Sequence, residues 1–281
     1  MRKYLSLIKF SHTIFAMPFA LIGFFLATKS NEFEWITLLY VVFCMIFARS
    51  AAMAFNRYID RDIDAANSRT AQVREIPNGS IKANSALIFV IINSLLFVTT
   101  TYLINSLCFL LSPIALLVIL VYSYTKRFTA LCHLILGLGL ALAPIGSFLA
   151  VSGKFDVLPL LFSAAVLFWV SGFDIIYSLQ DEAFDKEHKL HSIPVLIGKK
   201  NALNFSKFLH FLTFLTLNIA GYLGDFSFYY WLGFGIFTAL LIYQHILVKH
   251  NDLSKINLAF FTTNGISSVI FGVFVLIDIL N

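Results

Sequence analysis

The sequence predicts an all-α integral membrane fold: nine transmembrane helices, arranged as two parallel four-helix repeats plus a ninth helix around a central cavity. Three observations predict it. Of the 281 residues, 59% are hydrophobic and 12% charged, with a mean hydropathy of +0.85, more apolar surface than a water-soluble core needs. Lys and Arg gather in alternate loops between the apolar runs. The chain also echoes itself at offsets of 116–121 residues.

Taken in order, nine apolar stretches are long enough to span a bilayer, which needs about 20 residues. They lie near 11–29, 35–56, 85–105, 107–125, 131–152, 157–180, 202–223, 227–249 and 257–280. The start, Met1-Arg-Lys-Tyr4, is like a signal n-region, but no small-residue cleavage site follows, so the first run reads as a retained helix. The third and fourth runs are parted only near Asn105-Ser106, which suits antiparallel neighbours. With a cytoplasmic amino terminus, that side receives Arg2, Lys3, Lys9, Arg57, Arg61, Arg69, Arg74 and Lys82. It also receives Lys126, Arg127, Lys186, Lys189, Lys199, Lys200, Lys207, Lys249 and Lys255, whereas the outer side keeps Lys29 and Lys154. Trp35, Tyr229, Tyr230 and Trp231 then fall at the outer interface, where amphipathic rings sit best.

The net charge of +5 follows this topology and is no sign of a nucleic-acid partner. Cys44, Cys108 and Cys132 are odd in number and lie in or beside apolar runs, which argues against disulfides and thiolate metal sites.

Two acidic stretches close apolar runs on the cytoplasmic side: Asn56-Arg-Tyr-Ile-Asp60-Arg-Asp62-Ile-Asp64, and Asp174 followed by Asp181 and Asp185. Helical residues four apart share a face, so Asn56, Asp60 and Asp64 form one polar stripe and Asp174, Asp181 and Asp185 another. Gathered carboxylates repel, so cations must neutralise them or some must hold protons. Carboxylate oxygen suits a hard divalent ion, and Mg²⁺ commonly bridges one or two carboxylates to a substrate phosphate. Arg69, Arg74, Lys126 and Lys189 nearby suit the anion. Arg49 lies two turns before Asn56, at a depth where an ionised side chain costs about 2.5–3.5 kcal/mol unless paired or hydrated. It either makes a structural ion pair or faces a polar cavity and an anionic ligand.

Two lookalikes are set aside. Asp60-x-Asp62-x-Asp64 begins like an EF-hand loop, but Ala65 and Ala71 stand where Gly and Glu are required. His188 and His191 have a zinc-like spacing without a third ligand. Most of the 31 Phe belong to lipid or helix contacts, and a few could line a cavity for an isoprenoid tail and its carbocation.

The repeat links the two acidic stretches. Asp60 and Asp64 recur as Asp181 and Asp185, and Ile76-Pro77 with Gly79, Lys82, Asn84 and Leu87 recurs as Ile193-Pro194 with Gly198, Lys200, Asn201 and Leu203. One domain over 1–281 is expected, with repeat one at about 1–127, repeat two at about 128–255 and the ninth helix at about 256–281.

Over essentially its whole length the chain resembles the UbiA family of intramembrane aromatic prenyltransferases. That family carries N-(D)-x-x-D-x-x-x-D and D-x-x-x-D motifs at cytoplasmic helix ends, matched by Asn56, Asp60 and Asp64 and by Asp181 and Asp185. Asn67-Ser-Arg69-Thr with Arg74-Glu-Ile-Pro77-Asn-Gly79 is similar to its following loop, and Tyr122-Ser-Tyr-Thr-Lys126 to its Y-x-x-x-K motif. The resemblance implies transfer of a polyprenyl group from its diphosphate to an aromatic acid in quinone biosynthesis, at an integral membrane site in the bacterial inner membrane. It implies Mg²⁺ held by Asn56, Asp60, Asp64, Asp181 and Asp185, with Arg69, Arg74, Lys126 and Lys189 on the diphosphate. Catalytic roles fall to Asp174, Arg49 and Tyr122: Arg49 would pair the acceptor carboxylate, Asp174 would orient its hydroxyl or take a proton, and Tyr122 would steady the departing charge. Arg57 departs from the Asp that many members have after the first Asn, which leaves the acceptor open between 4-hydroxybenzoate, the first choice, and 1,4-dihydroxy-6-naphthoate in futalosine-type menaquinone biosynthesis. The rival class is a cation-coupled secondary transporter, whose carboxylates belong near the midplane rather than at one interface.

Overall fold

Long apolar runs can satisfy their backbone in lipid only as helices or closed barrels, and the described residues of these runs are helical. The computed structural model describes residues 2–8 and 15–281. Met1, Lys9, the side chain of Arg2 and the first residues of the 11–29 stretch lie outside the described residues. Among the described residues there is no strand, only an isolated bridge between Lys249 and Asp252.

The helices are α1 (Arg2–Leu7), α2 (Met17–Thr28), α3 (Trp35–Ile59), α4 (Arg61–Ala66), α5 (Ser68–Ala71), α6 (Ala83–Ile104) and α7 (Ser106–Thr125). They continue with α8 (Cys132–Ser152), α9 (Val157–Ser178), α10 (Glu182–Glu187), α11 (Ile193–Leu223), α12 (Phe228–Leu247) and α13 (Asn264–Leu280). Where it is described, each expected apolar stretch overlaps one of them. Among the described residues, seven spans are long and apolar enough to cross a membrane: α3, α6, α7, α8, α9 with its extension to Glu187, α12, and Leu258–Leu280. The stretches at 11–29 and 202–223 fall on α2, which has 12 residues, and α11, which has 31 with a break at Gly198. The chain is an integral membrane protein.

By packing, the helices fall into two units. The first contains α1 and α3–α7. Ala51 and Ala54 of α3 meet Ala86 and Val90 of α6, with Leu7 and Ile81 completing a small core, because small residues let two backbones approach. Ile88, Ile91, Ile92 and Leu95 of α6 and Leu110, Ile114 and Leu117 of α7 stay exposed, faces that only lipid can cover favourably. Asn105 alone joins α6 to α7, its Oδ1 accepting from the Cys108 amide at 2.8 Å.

The second unit contains α2 and α8–α13. Gly137 of α8 lies against Leu167 and Ser171 of α9, where a Cβ would collide with the Leu167 carbonyl oxygen. Trp169, Phe162, Phe19, Phe237, Phe271 and Tyr230 form the fully buried aromatic centre. Their polar tips find partners, as burial demands. Trp169 Nε1 donates to Asn264 Oδ1 at 3.0 Å, and the Tyr230 hydroxyl donates to the Leu217 carbonyl at 2.6 Å. Asp278 of α13 caps α12, its carboxylate accepting from the amides of Ser227 and Tyr230 at 3.0 and 2.8 Å.

Candidate active site

In the first unit, α3 stops at Ile59 and α4 starts at Arg61, with Asp60 between them at φ −87° and ψ 7°. The helical ladder survives this bend. The Asp60 amide donates to the Asn56 carbonyl at 2.9 Å and the Asp64 amide to the Asp60 carbonyl at 2.7 Å, so the one-turn spacing persists. Asn56 Nδ2 donates to Asp60 Oδ2 at 2.9 Å, and Asn56 Oδ1 accepts from Arg57 Nη1 at 3.1 Å. Asp64 is buried, and Arg74 Nη1 sits 2.6 Å from its Oδ2. Asp62 points the other way into solvent, which separates it from Asp60 and Asp64 as the helical period requires.

The loop after α4 is shaped to deliver Arg74. Asn67 Oδ1 accepts from the Arg69 amide at 3.0 Å, Thr70 Oγ1 donates to the Asp64 carbonyl at 2.8 Å, and the Arg74 amide donates to the Thr70 carbonyl at 2.9 Å. Arg69 is exposed at the start of α5. Arg49, half-buried on α3, lies within electrostatic reach of Tyr122 on α7.

The second unit repeats the design. A 3₁₀ turn at Leu179–Asp181 follows α9, Asp181 stands at φ −99° and ψ 0°, and the six-residue α10 follows. Asp185 is fully buried with Lys126 Nζ 2.7 Å from its Oδ1. This is an ion pair without hydrogen-bond alignment: neither buried carboxylate oxygen meets a donor at a hydrogen-bonding angle. The His191 amide donates to the Lys126 carbonyl at 2.7 Å, which pins this lysine to the segment after α10. Lys189 is exposed with φ 54°, a left-handed conformation that is uncommon for a residue with a Cβ. Asp174, one helix further back on α9, pairs through Oδ2 with His133 Nδ1 at 2.7 Å.

The expected residues are thus grouped within each unit. Asn56, Asp60, Asp64 and Arg74 come together in the first, as do Arg49 and Tyr122. Asp185 and Lys126 come together in the second. Three buried polar residues escape the sequence reading. Arg57 enters there as a topology charge and a departure from a motif, yet it is buried against Asn56 and within electrostatic reach of Asp64. Glu75 is buried and accepts from Ser6 Oγ. His133 sits 41 residues before its partner, and its only signal is an ionisable group opening an apolar run. His188 stacks on Phe184 with ring centroids 4.0 Å apart.

The donors fit magnesium. They are hard carboxylate oxygens, and the two unaligned oxygens of buried Asp185 are what a cation would satisfy. No three His, Cys, Asp or Glu side chains form a metal cluster among the described residues. Magnesium needs none, since it usually keeps waters and takes one or two carboxylates plus substrate phosphates.

Known proteins share this fold. A model of the UbiA prenyltransferase family matches residues 16–266. The 4-hydroxybenzoate octaprenyltransferase of Tolumonas auensis is 30% identical over 223 residues, covering 79% of this chain and 77% of that protein. The apo structure of a UbiA homologue from Aeropyrum pernix K1 superposes with a TM-score of 0.86 at 29% identity, covering 95% of this chain and 98% of the other. A UbiA homologue from Archaeoglobus fulgidus, bound to DMAPP and Mg²⁺, shares the fold with a TM-score of 0.75 at 21% identity over 99% of both chains. The match over residues 16–266 and a relative of this similarity place the chain in the UbiA prenyltransferase family, as a membrane enzyme that transfers prenyl groups.

Proposed function

We propose that this enzyme transfers a polyprenyl group from polyprenyl diphosphate to a small aromatic acid in quinone biosynthesis, with 4-hydroxybenzoate as the first choice of acceptor. The observation that carries this reading is the repeated pairing of a buried carboxylate with one cation, Asp64 with Arg74 and Asp185 with Lys126. Alternating acids and bases at a helix end suit a metal-bound diphosphate, whose charges complement both. Arg57 in place of the more common Asp leaves the acceptor open, with 1,4-dihydroxy-6-naphthoate as the alternative.

Asn56, Asp60, Asp64, Asp181 and Asp185 would hold magnesium, which when bound supplies Lewis acidity to the diphosphate oxygens. Arg69, Arg74, Lys126 and Lys189 neutralise the diphosphate as the allylic C–O bond breaks and the leaving group keeps both bonding electrons. Tyr122 donates a hydrogen bond to the developing charge. The acceptor ring attacks the allylic carbon from the position ortho to its hydroxyl and then loses that ring proton. Arg49 pairs the acceptor carboxylate, and Asp174 orients the hydroxyl or accepts its proton. Both acidic motifs and the amino terminus face the cytoplasm of a bacterial inner membrane in this reading. The four-plus-four-plus-one repeat is part of the same proposal.

The test is product mass analysis with purified enzyme, Mg²⁺, labelled polyprenyl diphosphate and the two aromatic acids in competition. Asp60→Ala and Asp181→Ala are each expected to lower transfer by roughly a hundredfold or more. Full activity in both variants would sink the metal assignment.

A further inference from the structure

His133 opens the first turn of α8 with its ring buried between two partners. On one side, Asp174 Oδ2 lies 2.7 Å from Nδ1. On the other, the Ile193 amide at the start of α11 donates to Nε2 across a longer 3.4 Å. A ring nitrogen that accepts an N–H carries no proton of its own, so the ring proton resides on Nδ1 and is donated to Asp174. Ser171 Oγ, one turn before Asp174 on α9, donates to the His133 carbonyl at 3.1 Å and locks the two helices in register.

This fixes the carboxylate by one oxygen only. Asp174 keeps 22% of its side chain exposed, so the imidazole restrains the group without closing it off. An aspartate without such a restraint turns over a broad range about its last side-chain torsion. The same short segment carries a second tie: two residues before Ile193, the His191 amide holds the Lys126 carbonyl at 2.7 Å, and Lys126 pairs with Asp185. Residues His191 to Ile193 therefore register an acceptor-side carboxylate against a diphosphate-side lysine.

We propose that His133 is a positioning residue for the acceptor half of the reaction. Through its Nδ1–H it holds Asp174 in one rotamer, with Oδ1 left for the phenolic hydroxyl of the incoming aromatic acid. The proposal rests on the reading of Asp174 as the group that orients or deprotonates that hydroxyl.

Side-chain shape supplies the test. The amide of Asn places an N–H close to where His carries Nδ1–H, whereas the longer Gln places one nearer Nε2. Transfer would be measured with full-length purified enzyme, Mg²⁺ and labelled polyprenyl diphosphate, titrating 4-hydroxybenzoate and dihydroxynaphthoate separately. His133→Ala is expected to lower kcat/KM for the better acceptor by on the order of tenfold to a hundredfold, with the KM for the diphosphate unchanged. His133→Asn recovers most of that loss and His133→Gln does not. In the Asp174→Asn background, His133→Ala costs nothing further, because the two act as a unit. The proposal is overturned by equal activity in the Asn and Gln variants, by a diphosphate KM that rises in step with the loss, or by additivity with Asp174→Asn. Should His133→Ala fail to fold, the contrast between Asn and Gln decides alone. Full activity in Asp174→Asn would instead overturn the reading of Asp174 on which the proposal stands, and the proposal with it.

Discussion

Among the described residues, Lys126 holds the only charge placed against Asp185 by a close ion pair, and Asp185 is shut off from solvent. Removing the lysine strands a buried anion, which costs far more than the pair itself contributes. Lys126→Ala is expected to destabilise the enzyme by about 3 kcal/mol, read as a drop in Tm in detergent. Adding Asp185→Asn removes the stranded charge, so the double variant regains most of that stability while transfer stays lost. Recovery of both together would show that the pair serves the fold alone. At this scale the sequence is legible where chemistry repeats at a helical interval: Asp60 with Asp64, and Asp181 with Asp185, stand four apart and keep that relation through their bends. It is silent where a partner comes from elsewhere in the chain. Nothing local to His133 announces Asp174, and nothing local to Arg57 announces that its guanidinium is buried against Asn56.

Each acidic motif is divided between a long helix and a short one, with the first aspartate at the joint. The apolar runs make the long helices legible, since a bilayer demands a run of about 20 residues. The joints are not, because neither Tyr58-Ile-Asp60-Arg61 nor Leu179-Gln-Asp181-Glu182 contains the Pro or Gly that would signal a break. Glycine matters further along. Gly79 and Gly198, counterparts in the internal echo, both adopt φ 77°, and with ψ 159° Gly198 lies where a residue with a Cβ costs roughly 1–3 kcal/mol. Open space surrounds both positions, so the cost is purely one of backbone conformation. Gly198→Ala should therefore lower the Tm by a few degrees through strain in α11, while leaving the helix packing unchanged. A neutral substitution would mean that the backbone relaxes freely there.

For the molecule as a whole, the charge asymmetry makes a statement about sidedness that labelling can check. In a background with Cys44, Cys108 and Cys132 replaced, Asn78→Cys and Lys186→Cys are expected to react with a membrane-impermeant maleimide from the cytoplasmic side. Lys154→Cys should react from the opposite side. Labelling of all three from one side would refute the orientation. The membrane class, the helical content and both acidic motifs are legible from composition and spacing alone, because lipid and charge impose those patterns directly. The division into packing units is not, because it depends on which faces meet. Repeat one would group α2 with α3 by chain order, whereas packing joins α2 to α8, α9 and α13.

That pairing has a consequence for how the enzyme is made. Gly23 of α2 lies against Pro144 and Ser147 of α8, more than a hundred residues later, and Ser268 of α13 donates to the Phe15 carbonyl from further still. During synthesis at about 5–20 residues per second, α2 emerges many seconds before any of these partners. It must wait in lipid, or in the grip of the insertion machinery, with the face around Gly23 uncovered. The helix that enters the membrane early is thus among the last to find its place.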